Sequence, residues 1–167
     1  MFVIEKLPAE ATNLGQAVQE VADIESIVQS HDAWEYHALC DLLEQDSIDM
    51  LLVYDEQDGI DNAGKVVIGY CLYQVVFEQA EVLRIGTLPN YQRQGIASKL
   101  LTQLNKELQL RDVASLLLEV RADNAPAVAL YTKHEFAVIH KRKNYYQLPY
   151  QAAVDALIMQ RTYEDTP

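Results

Sequence analysis

The sequence predicts an α+β fold in which a mixed, mostly antiparallel sheet of about seven strands carries about four helices. The first observation is the order of elements, β-α-α-β-β-β-α-β-α-β-β. Each element is identified by the spacing of its hydrophobic residues, which differs between strands and helices. The second is one strand–helix–strand unit, Glu81 to Arg121, which predicts a parallel, right-handed crossover. The third is composition: 50% of the 167 residues are hydrophobic. That supplies a core for a single domain spanning residues 1–167.

The first half of the chain begins with a strand and two helices. Phe2–Leu7 alternates like a strand, and Pro8 follows it. Ala9–Gln29 carries apolar residues at helical spacing, and Asp32 is predicted to cap a second helix that ends near Glu44. The strands that follow are Ile48–Tyr54, Lys65–Phe77 and Glu81–Leu88, with a hairpin loop at residues 55–64 marked by the turn signals Asp58-Gly59 and Ala63-Gly64.

The second half alternates helices and strands. Gln92–Leu110 is predicted to be a helix with one apolar face, formed by Ile96, Leu100, Leu101, Leu104 and Leu108. The strand Ala114–Arg121 and the helix Asn124–His134 come next, and Phe136–Lys143 and Ala153–Tyr163 close the sheet. Period two along Ala114–Arg121 puts Leu116, Leu118 and Val120 on one face and Leu117, Glu119 and Arg121 on the other.

Charge limits the partners. The formal net charge of −12 repels nucleic-acid phosphates and favours basic partners. The acidic residues either keep the protein soluble or line a site for a cationic substrate, and both interpretations stay open. Apolar runs such as Val113–Leu118 are too short for a membrane span, and Met1–Lys6 lacks the start of a signal peptide. Because the two cysteines and four histidines show no disulfide or metal spacing, we expect a cytoplasmic protein without a metal.

The segment Gln92–Ala97 joins a strand to a helix and has features of a phosphate-binding turn. Gly95 and the small Ala97 let the backbone approach a ligand. The N–H groups and the positive dipole end at the helix start favour a pyrophosphate, and Arg93 adds a positive charge. An ordinary strand-to-helix turn with one glycine explains the same residues. The segment is neither a Walker loop nor a dinucleotide fingerprint, because the required lysine and spaced glycines are absent.

Gln92-x-x-Gly95-x-Ala97, after a strand and opening a helix, resembles the acyl-CoA pyrophosphate loop of the GNAT superfamily of N-acetyltransferases. The resemblance covers roughly half of the chain, through Leu118–Asn124, Ala129–Tyr131, Lys141–Tyr146 and Asp155–Met159. Within the superfamily these segments are similar to the RimI family, which acetylates the N-terminal alanine of a small-subunit ribosomal protein. The resemblance implies a GNAT fold and direct acetyl transfer from acetyl-CoA to the N-terminal amine of a basic protein. We expect a monomer or weak dimer with no nucleic-acid or membrane partner.

The resemblance also assigns residues to acetyl-CoA. The backbone of Ile85, Gly86 and Thr87 is implied to pair with the pantetheine arm as an extra strand would, with Gly86 allowing the approach. The implied pyrophosphate cradle consists of Arg93, Gln94, Gly95, Ile96, Ala97 and Ser98. Further contacts are implied for Asn124 and Tyr131, and Asn124 is also predicted to N-cap its helix, with Pro126 tolerated in the first turn.

Glu119 and Tyr131 are the implied catalytic residues, as general base and general acid. The residues alone favour a half-exposed carboxylate paired with an arginine for Glu119 and a core side chain for Tyr131. An α-amino group has a pKa of about 8, against about 10.4 for lysine, so a carboxylate can deprotonate it more easily. A phenol with a pKa near 10 can protonate the departing thiolate.

Two departures from the family pattern stand out. Thr87–Asn90 lacks the acidic residue of the family's turn, and Lys133–Phe136 replaces the usual Gly-Phe, which removes a left-handed helix end. Two other functions stay open: acetylation of a lysine or small amine, and a non-catalytic CoA-binding module. The presence of both Glu119 and Tyr131 argues against the module. The acceptor is not decided, because the N-terminal helices and the loop after Tyr146 resemble the family least.

Overall fold

The computed structural model describes residues 1–7, 14–56 and 65–164. In these residues it contains strands and helices in the predicted order. The strands are β1 Phe2–Lys6, β2 Ile48–Asp55, β3 Val66–Val76, β4 Gln79–Thr87, β5 Ser115–Arg121, β6 Ala137–Tyr146 and β7 Val154–Thr162. The helices are α1 Leu14–Val28, α2 Tyr36–Leu43, α3 Ile96–Leu110 and α4 Ala125–Lys133, with a 3₁₀ turn at Pro89–Tyr91. The predicted helix start at Ala9 and the turns at Asp58-Gly59 and Ala63-Gly64 lie outside the described residues.

The strands form a 7-stranded sheet in the order β1-β2-β3-β4-β5-β7-β6. β1 with β2, β2 with β3, β5 with β7 and β6 with β7 are antiparallel. β4 and β5 are parallel, over a ladder from Gln79↔Ser115 to Glu81↔Leu117. The predicted mixed, mostly antiparallel sheet is therefore confirmed, and so is the parallel pairing within it.

The chain divides into two compact units, and β3, β4 and α3 contribute residues to both. The first unit contains Met1–Gln74 and Leu83–Leu104. In its core, α1 places Val18, Val21 and Ile24 at helical spacing. These side chains are at most 2% exposed, and burying each contributes about 1.5–3 kcal/mol. They pack in one cluster with residues of β2 and β3, including Met50, Leu52, Val67, Tyr70 and Leu72.

The second unit contains Val75–Val82 and Asn105–Pro167. Along β5 the side chains alternate between buried and half-buried, as predicted from period two. Leu116, Leu118 and Val120 are buried, and Glu119 lies on the other face. The predicted apolar face of α3 is buried as well: Ile96, Leu100, Leu101 and Leu104 lie in the first unit, and Leu108 lies in the second. A single domain over residues 1–167 stays a prediction.

Two predicted helix starts were wrong. α2 begins after Glu35, and Glu35 makes no side-chain capping bond. Asp32 does not cap α2, because its carboxylate accepts a hydrogen bond from Arg84 on β4. α3 begins at Ile96 rather than Gln92, because the 3₁₀ turn and Gly95, with its positive φ, come before it.

Candidate active site

The loop before α3 lies in the first unit and is fixed by its own glutamines. The side-chain amide of Gln92 donates to the carbonyl of Thr87 at 3.1 Å. That of Gln94 donates to the carbonyl of Asn90, also at 3.1 Å. Gln92 therefore ties the end of β4 to the start of the loop. The hydrogen bond of Gln94 joins two residues of the loop itself, so it stabilises the conformation of the loop.

Gly95 is required by the backbone rather than by crowding. Its φ is +80°, a conformation that costs other residues about 1–2 kcal/mol. A Cβ there would meet no atom of the described residues within 4 Å, so the space beside Gly95 is open. The first helical hydrogen bond follows at once, from the N–H of Lys99 to the carbonyl of Gly95.

This loop fits an anion. The N–H groups of a helix's first turn have no intrahelical acceptor, and the helix dipole is positive there. The turn starts at Ile96 and Ala97, where the sequence predicted a pyrophosphate cradle. Arg93 is exposed and also has a positive φ, of 62°. The open space, the amide groups and the exposed guanidinium suit the pyrophosphate of a CoA.

The end of β4 is the segment that the resemblance assigns to the pantetheine arm. β4 continues to Thr87, beyond the last residue of its ladder with β5, Glu81. A Cβ on Gly86 would lie 2.8 Å from Cε1 of Tyr70, which is too close for any other residue. Glycine at this position is therefore needed for packing against Tyr70, and this reason differs from the predicted approach of a ligand. Ile85 is half-buried and Thr87 is buried.

Glu119 lies in the second unit, and β5 pairs it with Ile158 of β7. Its side chain is 28% exposed. Tyr146 donates its phenol hydrogen to Oε1 at 3.2 Å. Nη1 of Arg142 lies 3.4 Å from Oε2. The carboxylate thus has two partners that hold it in place, and it keeps contact with solvent.

Tyr146 and Arg142 were not predicted to be functional. The only signal for them in the sequence was their position in the segment Lys141–Tyr146, which resembles the family. Burial of Tyr146, followed by the negative charge of Glu119, raises the pKa of its phenol to about 12. Tyr146 therefore stays protonated at neutral pH and acts as a hydrogen-bond donor to Glu119.

Asn124 caps α4 as predicted. Its Oδ1 accepts a hydrogen bond from the N–H of Ala127 at 3.3 Å, and proline occupies the first turn. Nearby, Arg121 forms a bidentate ion pair with Asp123, with both N–O distances at 3.0 Å. The strand end and the helix start are therefore each fixed by a short-range polar contact.

Tyr131 is 7% exposed and packs edge-on against Phe136, with ring centroids 5.8 Å apart. Its carbonyl accepts a hydrogen bond from the N–H of Phe136, and that of Thr132 accepts one from Glu135. These two bonds form a Schellman end for α4. Glu135 takes the left-handed position that glycine usually fills, with φ of 67°. The residue that replaces the usual glycine therefore makes the backbone of this helix end more strained, but it does not change the geometry of the helix end.

The described residues contain no group of three or more His, Cys, Asp or Glu side chains arranged to hold a metal ion. No helix in this part of the chain is long and apolar enough to span a membrane.

Comparison with known proteins decides the family. Residues 16–136 match the Acetyltransferase (GNAT) family, which is more than half of the chain. The chain belongs to this acetyltransferase family. The resemblance predicted from the loop at Gln92–Ala97 and the segments after it is therefore confirmed.

Relatives within the acetyltransferase family share one name. The ribosomal protein bS18-alanine N-acetyltransferase of Haemophilus ducreyi is 39% identical over 108 residues, which cover 65% of this chain and 70% of that protein. The enzyme of the same name from Escherichia coli (strain K12) is 44% identical over 90 residues, or 54% of this chain and 60% of that protein. The aligned region thus spans less than two thirds of the E. coli relative.

The fold is also that of a solved member of the family. The crystal structure of the ribosomal-protein-S18-alanine N-acetyltransferase from E. coli superimposes with a TM-score of 0.79 at 28% identity. The superposition covers 100% of this chain and 97% of that one. The predicted GNAT fold is confirmed.

Proposed function

We propose that this protein transfers the acetyl group of acetyl-CoA to the N-terminal amine of a protein, namely the N-terminal alanine of ribosomal protein bS18. The observation that carries the proposal is the carboxylate of Glu119, held between Tyr146 and Arg142 on the strand where the family resemblance implies the general base. The similar relatives are named for this reaction. Membership of the acetyltransferase family supports acetyl-CoA as the donor.

The loop before α3 would hold the donor. Its supporting features are the open space beside Gly95, the helix N-terminus and the exposed Arg93. The backbone of Ile85–Thr87 would pair with the pantetheine arm as a strand does, since β4 extends past its ladder with β5. Its N–H groups would donate to the oxygen of the acetyl group, where negative charge develops.

Glu119 would accept the proton of the attacking amine, directly or through one water. Tyr146 donates to Oε1 and, with its pKa raised to about 12, does not compete for that proton. Arg142, beside Oε2, restricts the rotation of the same carboxylate. An α-amino group with a pKa of about 8 is already partly neutral at pH 7, so a carboxylate is a sufficient base.

Tyr131 would donate a proton to the sulfur as CoA leaves. Its ring is held by packing against Phe136, and its backbone carbonyl is held by the end of α4. A phenolic hydroxyl can act as a general acid toward a developing thiolate.

The acceptor would be a basic chain. The protein carries 25 acidic and 13 basic residues, so its field attracts a cationic peptide and speeds its association. A ribosomal protein, which binds RNA, presents such a positive charge.

Release of free CoA tests the proposal. The purified protein is mixed with acetyl-CoA and a peptide copying the alanine-starting N-terminus of bS18, and a second peptide carries the same sequence with a blocked N-terminus. We expect CoA release with the free peptide and none with the blocked one. Equal release from both would move the acceptor to a lysine side chain, and no release from either would contradict the assigned reaction.

A further inference from the structure

A fully buried carboxylate lies outside the proposed catalytic residues. Glu25 of α1 is 0% exposed. Its Oε1 accepts a hydrogen bond from the phenol of Tyr70, and its Oε2 accepts one from the N–H of Trp34 at 3.1 Å. Nε of Arg84 lies 3.5 Å from the same Oε2. The charge is thus compensated by partners from β3, from β4 and from the turn that joins α1 to α2.

Arg84 extends this cluster to the turn. Its Nη2 donates to the carbonyl of Asp32 at 2.9 Å and to Oδ2 of the same residue at 3.0 Å. Its guanidinium stacks on the ring of Trp34, 4.4 Å from the ring centroid. Asp32–Trp34 is therefore attached to β4 by two hydrogen bonds, one stacked pair and the buried carboxylate.

Tyr70 carries the cluster to the end of β4. Its ring lies against the backbone of Gly86, where even a Cβ would come within 2.8 Å. Arg84 and Gly86 are two residues apart, so they point to the same face of β4. Glu25 contacts the first directly and the second through Tyr70. The segment of β4 that we assign to binding the acetyl group is therefore held in place by the carboxylate of Glu25.

The Asp32–Trp34 turn also borders an open cavity of about 540 Å³ in the first unit. The carboxylates of Asp23, Asp32 and Glu35 lie in its wall. Negative charge there suits a basic acceptor peptide. The same turn is thus connected to the donor strand and borders a cavity with the charge expected for the acceptor side.

We propose that Glu25 is a positioning residue that fixes the Asp32–Trp34 turn relative to the Arg84–Thr87 segment of β4, so that acceptor and acetyl group meet at a set distance. A buried ion pair contributes little net stability, and apolar residues of the same size replace such pairs at no loss in many proteins. Its effect is on geometry, where a displacement of about 1 Å costs about 100-fold in rate. This inference rests on the proposed function.

Trp34 is the only tryptophan of the chain, so its fluorescence reports the turn directly. Glu25→Gln keeps the size of the side chain and removes the charge that holds Arg84. We expect the rate of acrylamide quenching of Trp34 to rise at least about twofold, with an unchanged far-UV spectrum, as the turn opens locally.

Glu20→Gln is the matched control. Glu20 also lies on α1 and also accepts a backbone N–H, from Val67 of β3 at 2.9 Å, but it is not bonded to Arg84 or Trp34. We expect unchanged quenching in this variant. Equal quenching of Trp34 in Glu25→Gln and wild type would overturn the inference, whatever the protein's activity.

A second variant covers the case in which Glu25→Gln does not fold. Asp32→Asn changes a side chain that is 66% exposed and removes the negative charge that is paired with Arg84. Asp23→Asn removes an equal charge from the wall of the same cavity without affecting Arg84. Increased quenching in Asp32→Asn alone supports the inference, and the same change in both or in neither overturns it.

Kinetics then separate positioning from stability. We expect Glu25→Gln to lower kcat about 10-fold or more and to raise KM for the acceptor peptide. The affinity for acetyl-CoA should fall much less than kcat, because the loop at Gly95 is unchanged and the expected movement is that of the Asp32–Trp34 turn. A purely structural role would reduce the folded fraction and leave the constants of that fraction unaltered. If wild type released no CoA, the proposed function would fail while the fluorescence comparison would still decide this inference.

Discussion

Replacing Glu119 with glutamine separates catalysis from stability. Glutamine keeps an acceptor oxygen for the phenol of Tyr146 and removes the charge that faces Arg142. The two side chains are 28% and 46% exposed, so solvent screens their ion pair. Such a pair contributes at most about 1 kcal/mol to the free energy of unfolding. We therefore expect only a small fall in the urea midpoint.

The effect on turnover should be larger. Removing a general base lowers the rate about 100-fold or more, which raises the barrier by about 2.7 kcal/mol. The assay is CoA release at saturating acetyl-CoA and peptide, combined with a calorimetric affinity for acetyl-CoA, which should not change. Arg142→Gln is the matched control, because it breaks the same ion pair and leaves the carboxylate. We expect this control to lose less than about 10-fold in kcat.

Two results would contradict the role of Glu119 as the general base. Glu119→Gln with more than about a third of the wild-type kcat at pH 7 would remove the carboxylate as the base. An equal loss in the arginine variant would show that the ion pair matters and that proton transfer does not.

Four further predictions concern single residues. Tyr131→Phe should slow transfer by about 10-fold or more with the affinity for acetyl-CoA retained, and full activity would show that another group protonates the thiolate. Gly95→Ala should weaken acetyl-CoA binding measured by calorimetry, because alanine at φ of +80° costs about 1–2 kcal/mol and the loop shifts to relieve it; an unchanged affinity would contradict the cradle. Glu135→Gly should be about 1 kcal/mol more stable than Glu135→Ala in urea unfolding, since both lose the ion pair with Arg161 and only alanine keeps the strain of φ 67°. Burial raises the pKa of Tyr146 to about 12, so the folded state holds its proton longer than the unfolded state, and stability present below pH 10 should be lost as pH rises from 10 to about 12. Tyr146→Phe should reduce this alkaline loss, and an equal loss in both proteins would contradict it.

Elements whose residues follow one local period were predictable. The apolar face of α3 and the alternating side chains of β5 depend on spacing within one segment. In both elements, the side chains that the spacing predicts to be buried are buried. The cap at Asn124 was likewise predictable, because it bonds an N–H only three residues away.

The errors come from contacts between distant segments. Asp32 has the residue type and position of a helix cap, but its partner is Arg84, 52 residues further along the chain. At Gly86 the sequence did not show the second reason for glycine, which is the ring of Tyr70 beside its backbone. The contact with Arg84 outweighed the local preference of Asp32 for a cap.

The candidate site was predictable only through the family. Glu119 carried a weak signal, a carboxylate on a leucine-rich strand, and its partner Tyr146 is 27 residues away on β6. A hydrogen bond between these two distant side chains produces no periodic pattern of residues in the sequence. The buried cluster around Glu25 had no signal either, because an acidic residue in α1 is ordinarily assigned to the solvent side.

Mass spectrometry of the product identifies the amine that the protein acetylates. The purified protein is incubated with acetyl-CoA and full-length bS18 carrying its free N-terminal alanine, and the acetylated position is located by fragmentation. We predict one added acetyl group on the α-amine of the alanine, formed about 100-fold more slowly when Glu119→Gln replaces the wild type. Acetylation confined to lysine side chains, or an unmodified protein after incubation with wild type, would contradict it.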